Sequence, residues 1–264
     1  MLPVLVLLAA LRALPAQDQG AEARAKMDAV LAEQGLRLDL EHGLLAMPAT
    51  VLVRDALLEY LLVGPSGATH ESLFLTGVRP SLLNTALLLF GVQPGENARL
   101  EETGASDERG RPQRRVLAPH GDGFLLYAAW REEGELYLYR VEDLVGNTAT
   151  GRTLRRHRWV FLGSRFAALR AGEPEVFVAD VAGNLVNLSF FFQGDTLLTA
   201  ALDECVEQTI WAPNAWLLPP RGEPVSLIFA RQPITALPAG WAEGLPEVHT
   251  PPPEELPADG SGGR

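Results

Sequence analysis

Residues 36–53 read LRLDLEHGLLAMPATVLV. Leu36, Leu38 and Leu40 alternate with Arg37, Asp39 and Glu41. A period of two sends one set of side chains to a core and the other to water, so the segment predicts a half-buried strand. His42-Gly43 suits a tight turn into a second strand. Pro48 stands inside that second strand and has no N–H for a ladder, which marks an edge or a bulge. Two short strands joined by a turn point to antiparallel sheet, and the pattern continues outward from here.

Residues 57–63 and 71–75 predict two more strands, separated by the loop Gly64-Pro65-Ser66-Gly67. Pro80 fits the first turn of a helix and Gly91 fits just past its end. Leu83, Ala86, Leu87 and Phe90 form one face, and Leu82, Leu88 and Leu89 widen it, so this helix is expected to be buried nearly all round. A hairpin follows over 124–141 with its turn near Glu133-Gly134, then a strand over 159–163. Gly183-Asn184 reads as a primed turn between strands at 175–181 and 185–191. Late strands cover 211–217 and 225–230. The polar stretch 93–121 reads as a loop that divides a continuous body into two lobes, 36–95 and 122–232. The fold class is α+β, mainly antiparallel sheet with β-hairpins and one buried central helix.

The ends carry different signals. Residues 1–16 contain an apolar run of about ten residues, too short to span a bilayer but suited to a signal peptide cleaved after Ala16. Residues 17–35 predict a helical arm with Met27, Val30 and Leu31 at helical spacing. From Pro233 the chain is rich in Pro, Gly and acid, which predicts a disordered tail over 233–264. The expectation is an exported protein, periplasmic or extracellular, with no membrane span in the mature chain.

The 264 residues carry 33 acidic and 22 basic side chains, a net charge of −11 that disfavours nucleic acid and anionic lipid as partners. Arg109, Arg111, Arg114 and Arg115 lie beside Glu101, Glu102, Asp107 and Glu108, so that cluster is locally balanced. Arg152, Arg155, Arg156 and Arg158 form a second. The single cysteine, Cys205, forms no intramolecular disulfide and supplies neither an iron–sulfur cluster nor a cysteine-built zinc site. It is expected to be a small buried hydrophobe.

Few residues offer chemistry. His70 beside Glu71 could do acid–base work or supply metal ligands, yet neighbours on a strand face opposite ways, so a shared centre needs an irregular backbone. Asp180 and Asn184 flank the Gly183-Asn184 turn, where such residues bond local backbone. Ser164 lacks the surroundings of a nucleophile elbow, and a triad of Ser164, His70 and Asp180 is only a set any chain of this size provides. His70, Glu71 and Asp180 are also the candidate metal ligands. No cofactor is called for. Trp130, Trp159, Trp211, Trp216 and Trp241 are expected to pack in cores rather than form a ligand platform.

Residues 67–95 (GATHESLFLTGVRPSLLNTALLLFGVQPG) carry a resemblance. His70-Glu71-Ser72, Pro80, Ala86 to Leu89 and Pro94-Gly95 are similar to the pattern of the YdjY-type domain of exported bacterial proteins. Trp159 to Ser164, Ala179-Asp180 with Gly183 to Leu185, and Pro219 to Ile228 resemble its later motifs, so the likeness covers roughly 36–231. It implies a shared fold and export, without a particular activity. Some relatives are described as ferredoxin-like, which one cysteine contradicts here. Many carry a Lys before the His-Glu-Ser step, where this chain has Ala68 and Thr69. The leading expectation is a non-enzymatic binding or envelope-associated module for an unknown envelope or extracellular partner or small ligand. The alternative is a hydrolase-like or metal-dependent enzyme using His70, Glu71, Ser164 and Asp180.

Overall fold

The computed structural model describes residues 16–250. The leader expected over 1–16 lies outside the described residues but for Ala16. The arm is the helix α1 (Ala16–Glu33), whose Leu31 is buried in the main core with Leu36. Strands β1 (Arg37–Asp39) and β2 (Leu44–Val51) pair antiparallel as the alternation predicts, Arg37 facing Ala46. On that edge β2 meets β1 at residues 44–46 and another strand at 50–51, and Pro48 falls in the gap. Its carbonyl accepts from Thr76 Oγ1 on this same edge, so its missing N–H is on a side where no ladder bond is required.

Strands β3 (Tyr60–Val63) and β4 (Ser72–Leu75) run parallel. The helix α2 (Pro80–Leu88) buries Leu83, Ala86 and Leu87 but exposes Leu88, as it does the following Leu89. It is therefore a surface-facing amphipathic helix, which corrects the expected all-round burial. Residues 93–121 are not simply a loop. β5 (Arg99–Ser106) and β6 (Pro112–Leu117) form an exposed antiparallel ribbon in which Glu101 faces Arg115 and Glu102 faces Arg114. Cross-strand ion pairs take the place of apolar alternation there, which conceals the strands from a hydropathy reading.

β7 (Gly123–Glu132) and β8 (Glu135–Arg140) form the predicted hairpin. Glu133 (φ 51°) and Gly134 (φ 83°) both take the left-handed conformation that a primed two-residue turn requires. The short strands β9 (Val145–Asn147), β10 (Arg152–Thr153), β11 (Trp159–Phe161), β12 (Phe166–Ala167) and β13 (Val176–Phe177) follow. Gly183-Asn184 does not turn a hairpin. Val178–Ala182 is a single helical turn, α3, and Gly183 ends it at φ 71°. A glycine at positive φ serves a helix C-terminus as readily as a hairpin, and sequence does not separate the two. β14 (Asn184–Asn187), β15 (Leu198–Thr199), β16 (Trp211–Pro213), β17 (Pro224–Ala230) and β18 (Glu247–Val248) complete the strands.

Eight of these strands close into a barrel in the order β2-β17-β7-β11-β15-β14-β3-β4, with β4 pairing back onto β2. β1, β8 and β18 extend it from the edges of β2 and β7. In this ring β3, β4 and β2 form one arc and β17, β7, β11, β15 and β14 the other, joined where β17 pairs with β2 and β14 with β3. The interior holds Leu45, Met47, Phe74, Phe124, Leu126, Phe161 and Phe229, with Leu83, Ala86 and Leu87 of α2 in the same cluster. Phe124 meets Phe161 and Phe229 edge-on at 6.4 and 6.3 Å.

The other face of β2, β17 and β7 is also covered. Leu44, Leu125, Tyr127, Ile228 and Trp241 form a second cluster joined by Ile234, Leu237 and Leu245. Residues 233–250 therefore fold onto the barrel, and β18 pairs with β7. This corrects the disordered tail for that stretch. Sparse apolar side chains in a Pro-rich segment anchor it because a ready-made apolar face waits for them. Residues 251–264 lie outside the described residues.

A buried carboxylate pins the barrel wall. Glu142 is fully buried and accepts from Arg140 Nε and Nη2 (3.0 and 2.6 Å), Trp159 Nε1 (3.0 Å) and the His157 amide (3.3 Å). Removing one partner of such a pair typically costs about 3–5 kcal/mol, because the other charge stays buried. The His157 imidazole lies against Trp159, tilted by 36° at 4.8 Å, and donates from Nδ1 to the Arg155 carbonyl, 2.9 Å away. Burial pushes its pKa below the usual 6.5, and the neighbouring Glu142 carboxylate offsets this only in part, with Arg140 and Arg155 adding to it. The native state thus refuses a proton that the unfolded chain accepts. Stability is full above about pH 6.5 and falls as pH drops through that value toward the native pKa. His157→Asn keeps a donor for the Arg155 carbonyl but does not titrate. Urea midpoints at several pH values between neutrality and mild acid should show a flatter profile for the variant than for the wild type.

Candidate functional site

The residues singled out by sequence fall into two places. Thr69–Glu71 forms a single 3-10 turn, the irregular backbone that lets neighbouring side chains meet. His70 Nε2 lies 3.7 Å from Glu71 Oε2, with the imidazole 81% exposed. Glu59 joins them. Its amide donates to the Glu71 carbonyl, and its carboxyl pKa is raised by burial and by the Glu71 carboxylate, partly countered by His70. Its signal was present in sequence as a lone acid inside Leu57-Leu58-Glu59-Tyr60-Leu61.

Ser164 and Asp180 lie around α3. Ser164 sits at φ 54°; its Oγ donates to the Asp195 carbonyl and accepts from the Ala179 amide, both at 3.2 Å. Asp180 Oδ1 accepts from the Ser81 amide at 2.7 Å. Arg79 precedes α2 and provides no side-chain cap, so Asp180 caps α2 from across the fold. Asn184 Oδ1 accepts from the Ala68 amide, and the Gly64 amide donates to the Gly183 carbonyl. A Cβ on Gly67 would stand 2.5 Å from that carbonyl oxygen, so this backbone crossing needs glycine. Among the described residues, no hydrogen bond or ion pair joins Ser164, His70 and Asp180 to one another, and no three His, Cys, Asp or Glu side chains gather to hold a metal. Cys205 is buried, and burial pushes its thiol up to about 12.

A different surface has the shape of a binding site. Four of the five tryptophans are buried as expected, but Trp216 is 96% exposed. It stands at a cleft of about 390 Å³ whose lining includes Arg54, Trp130, Tyr137, Tyr139 and Pro219. The register of the β7–β8 hairpin sets Trp130 opposite Tyr137 and Ala128 opposite Tyr139, so the three rings share one face. Trp130 and Tyr137 are parallel at 5.5 Å, and Trp130 and Tyr139 lie 5.6 Å apart. β8 is not a barrel strand, so the hairpin carries the inner barrel face out beyond the ring. The opposite wall, Ala215 to Pro220, is held by Arg54 Nη2, which donates to the Ala215 and Leu218 carbonyls. Trp130 Nε1 and Arg54 Nε are buried without a partner. Sequence reading missed this site because an exposed Trp216 and a buried tryptophan look alike in composition.

The second basic cluster is locally satisfied too: Arg155 pairs with Glu204 and Arg156 with Asp143, while Arg158 donates to backbone carbonyls. No helix among the described residues is long and apolar enough to cross a membrane.

The role of Asp180 as a cap in trans has a measurable cost. Asp180→Ala should lower unfolding free energy by about 0.5–2 kcal/mol, the range for losing a capping side chain. Asp180→Asn should lose less, since an amide oxygen still accepts from Ser81. Equilibrium urea unfolding of both variants reads the difference.

No curated protein and no solved structure matches this chain. The model of the YdjY domain matches residues 36–230, which runs from β1 to β17 and includes all eight barrel strands. The match covers well over half of the sequence, and the protein belongs to the YdjY domain family.

Proposed function

We propose that this is an exported, envelope-associated binding protein that takes an extended proline-rich segment of a partner into the Trp216 cleft. The observation that carries the reading is the exposed Trp216 facing a stack of Trp130, Tyr137 and Tyr139. An indole left wholly in water forgoes about 1.5–3 kcal/mol of burial, and no packing within the fold recovers it. Grooves lined by aromatic rings are the usual seats of polyproline segments, which arrive already extended and lose little entropy. Among the described residues, the two buried polar atoms of the lining without a partner, Trp130 Nε1 and Arg54 Nε, are both donors. A polyproline strand offers carbonyl acceptors and no N–H, which is the complement they lack.

The hydrolase-like or metal-dependent alternative draws on His70, Glu71, Ser164 and Asp180. Ser164 and Asp180 are engaged with backbone in the roles described above, and His70 is solvated, so the binding reading is favoured. Export rests on the apolar leader at 1–16.

Decaproline titrated into the protein should quench or shift Trp216 emission, and Trp216→Ala should weaken binding at least tenfold with an unchanged unfolding midpoint. Binding of an N-acetylglucosamine oligomer in place of decaproline would overturn the peptide reading. Export is checked by the intact mass of protein recovered outside the cytoplasm. A chain beginning at Gln17 is expected, and a full-length chain confined to the cytoplasm would refute it.

A further inference from the structure

We propose that a second cleft, lined by Tyr60, Asn184, Asn187, Phe191, Gln193 and Asp195, binds a guanidinium group. This site is separate from the Trp216 cleft and does not rest on it. It encloses about 290 Å³, room for a small ligand or the end of an arginine-like side chain.

Three features define the chemistry. Asn187 is 4% exposed, and its Oδ1 has no hydrogen-bond partner. Its register neighbour across β14 and β15, Thr199, also holds an unpartnered oxygen. A buried carbonyl oxygen without a donor calls for an N–H. Asp195 supplies the charge. Its Oδ1 accepts both Arg165 Nε (3.1 Å) and Nη2 (2.9 Å), while no hydrogen bond reaches its Oδ2 among the described residues. Tyr60 and Phe191 supply a flat wall, their rings parallel within 5° at 4.8 Å.

The surrounding field has the matching sign. Burial first, and then the carboxylates of Glu59 and Glu71, push the Tyr60 phenol up to about 12, so two carboxylates lie close enough to act on this wall. The cations that oppose this are Arg165, which is paired with Asp195, and the exposed His70 beside Glu71. Asn187 requires a donor, the open oxygen of Asp195 favours a cation, and the aromatic wall favours a planar group. A guanidinium is planar, stacks on aromatic faces and presents several N–H donors in one plane. An ammonium lacks the plane, a neutral amide lacks the charge, and a carboxylate would be repelled.

The test uses n-butylguanidinium and its uncharged isostere n-butylurea, each titrated into the full chain by calorimetry. The guanidinium should bind and the urea should bind at least tenfold more weakly. Asn187→Leu and Asp195→Asn should each weaken guanidinium binding at least tenfold, and raised salt should weaken it further. Trp216→Ala should leave it unchanged, which separates this site from the Trp216 cleft. Equal binding of the two isosteres, binding unaffected by both substitutions, or no binding of the guanidinium would overturn the proposal. Asp195 is partly exposed, so Asp195→Asn keeps the test decisive if Asn187→Leu does not fold.

Discussion

Two residue pairs, Thr50 with Leu75 and Val51 with Phe74, close the ring of strands. A sheet that does not close leaves a row of unpaired backbone groups at each edge, and closure removes both. β2 makes this closure while also pairing along most of its length with β17. The demand on β2 explains its sequence. LLAM must satisfy an interior on one face and the 233–248 segment on the other, so the alternation seen in β1 gives way to a continuous apolar run. Pro48 is tolerated because it falls where the shared edge passes from β1 to β4.

The motifs that carry the family resemblance do scaffold work around this ring. Asp180 caps α2, Asn184 holds the loop at Ala68, and Gly67 and Gly183 allow two backbones to cross. Together they tie α2, α3 and the β3–β4 connection to one end of the barrel. Ser164 serves the same joint by bonding the backbone of α3 and of Asp195. Each of these side chains meets a hydrogen-bonding need created by a chain terminus or a crossing, which is why polar residues persist there.

The two clefts arise where the barrel stops. The β7–β8 hairpin overruns the ring, so the apolar face that lines the interior emerges at the surface as a ladder of rings. On the other cleft, β14 and β15 are short and parallel, and their register sets Asn187 beside Thr199 without mutual satisfaction. Irregular pairing between β14 and β3 accompanies it.

Reading the chain alone recovered what local physics dictates. The alternation of Leu36 to Glu41, the Glu133-Gly134 turn, the Pro80 helix start and the burial of Trp159, Phe161 and Cys205 follow from period, backbone conformation and hydrophobicity within a few residues. Tertiary structure decided the rest. The β5–β6 ribbon is stabilised by facing charges rather than apolar periodicity, so its pairing is visible only once the strands are side by side. The 233–250 segment is held by a face that β2, β7 and β17 build from distant parts of the chain. The cap that Asp180 gives to α2 spans 99 residues of sequence. Whether Trp216 is core or surface depends on where Arg54 fixes the 215–220 wall. Local sequence specifies those strands whose apolar period or turn residues lie within a few positions of one another. Ring closure specifies which side chains are left facing water, since that depends on pairings no local window contains.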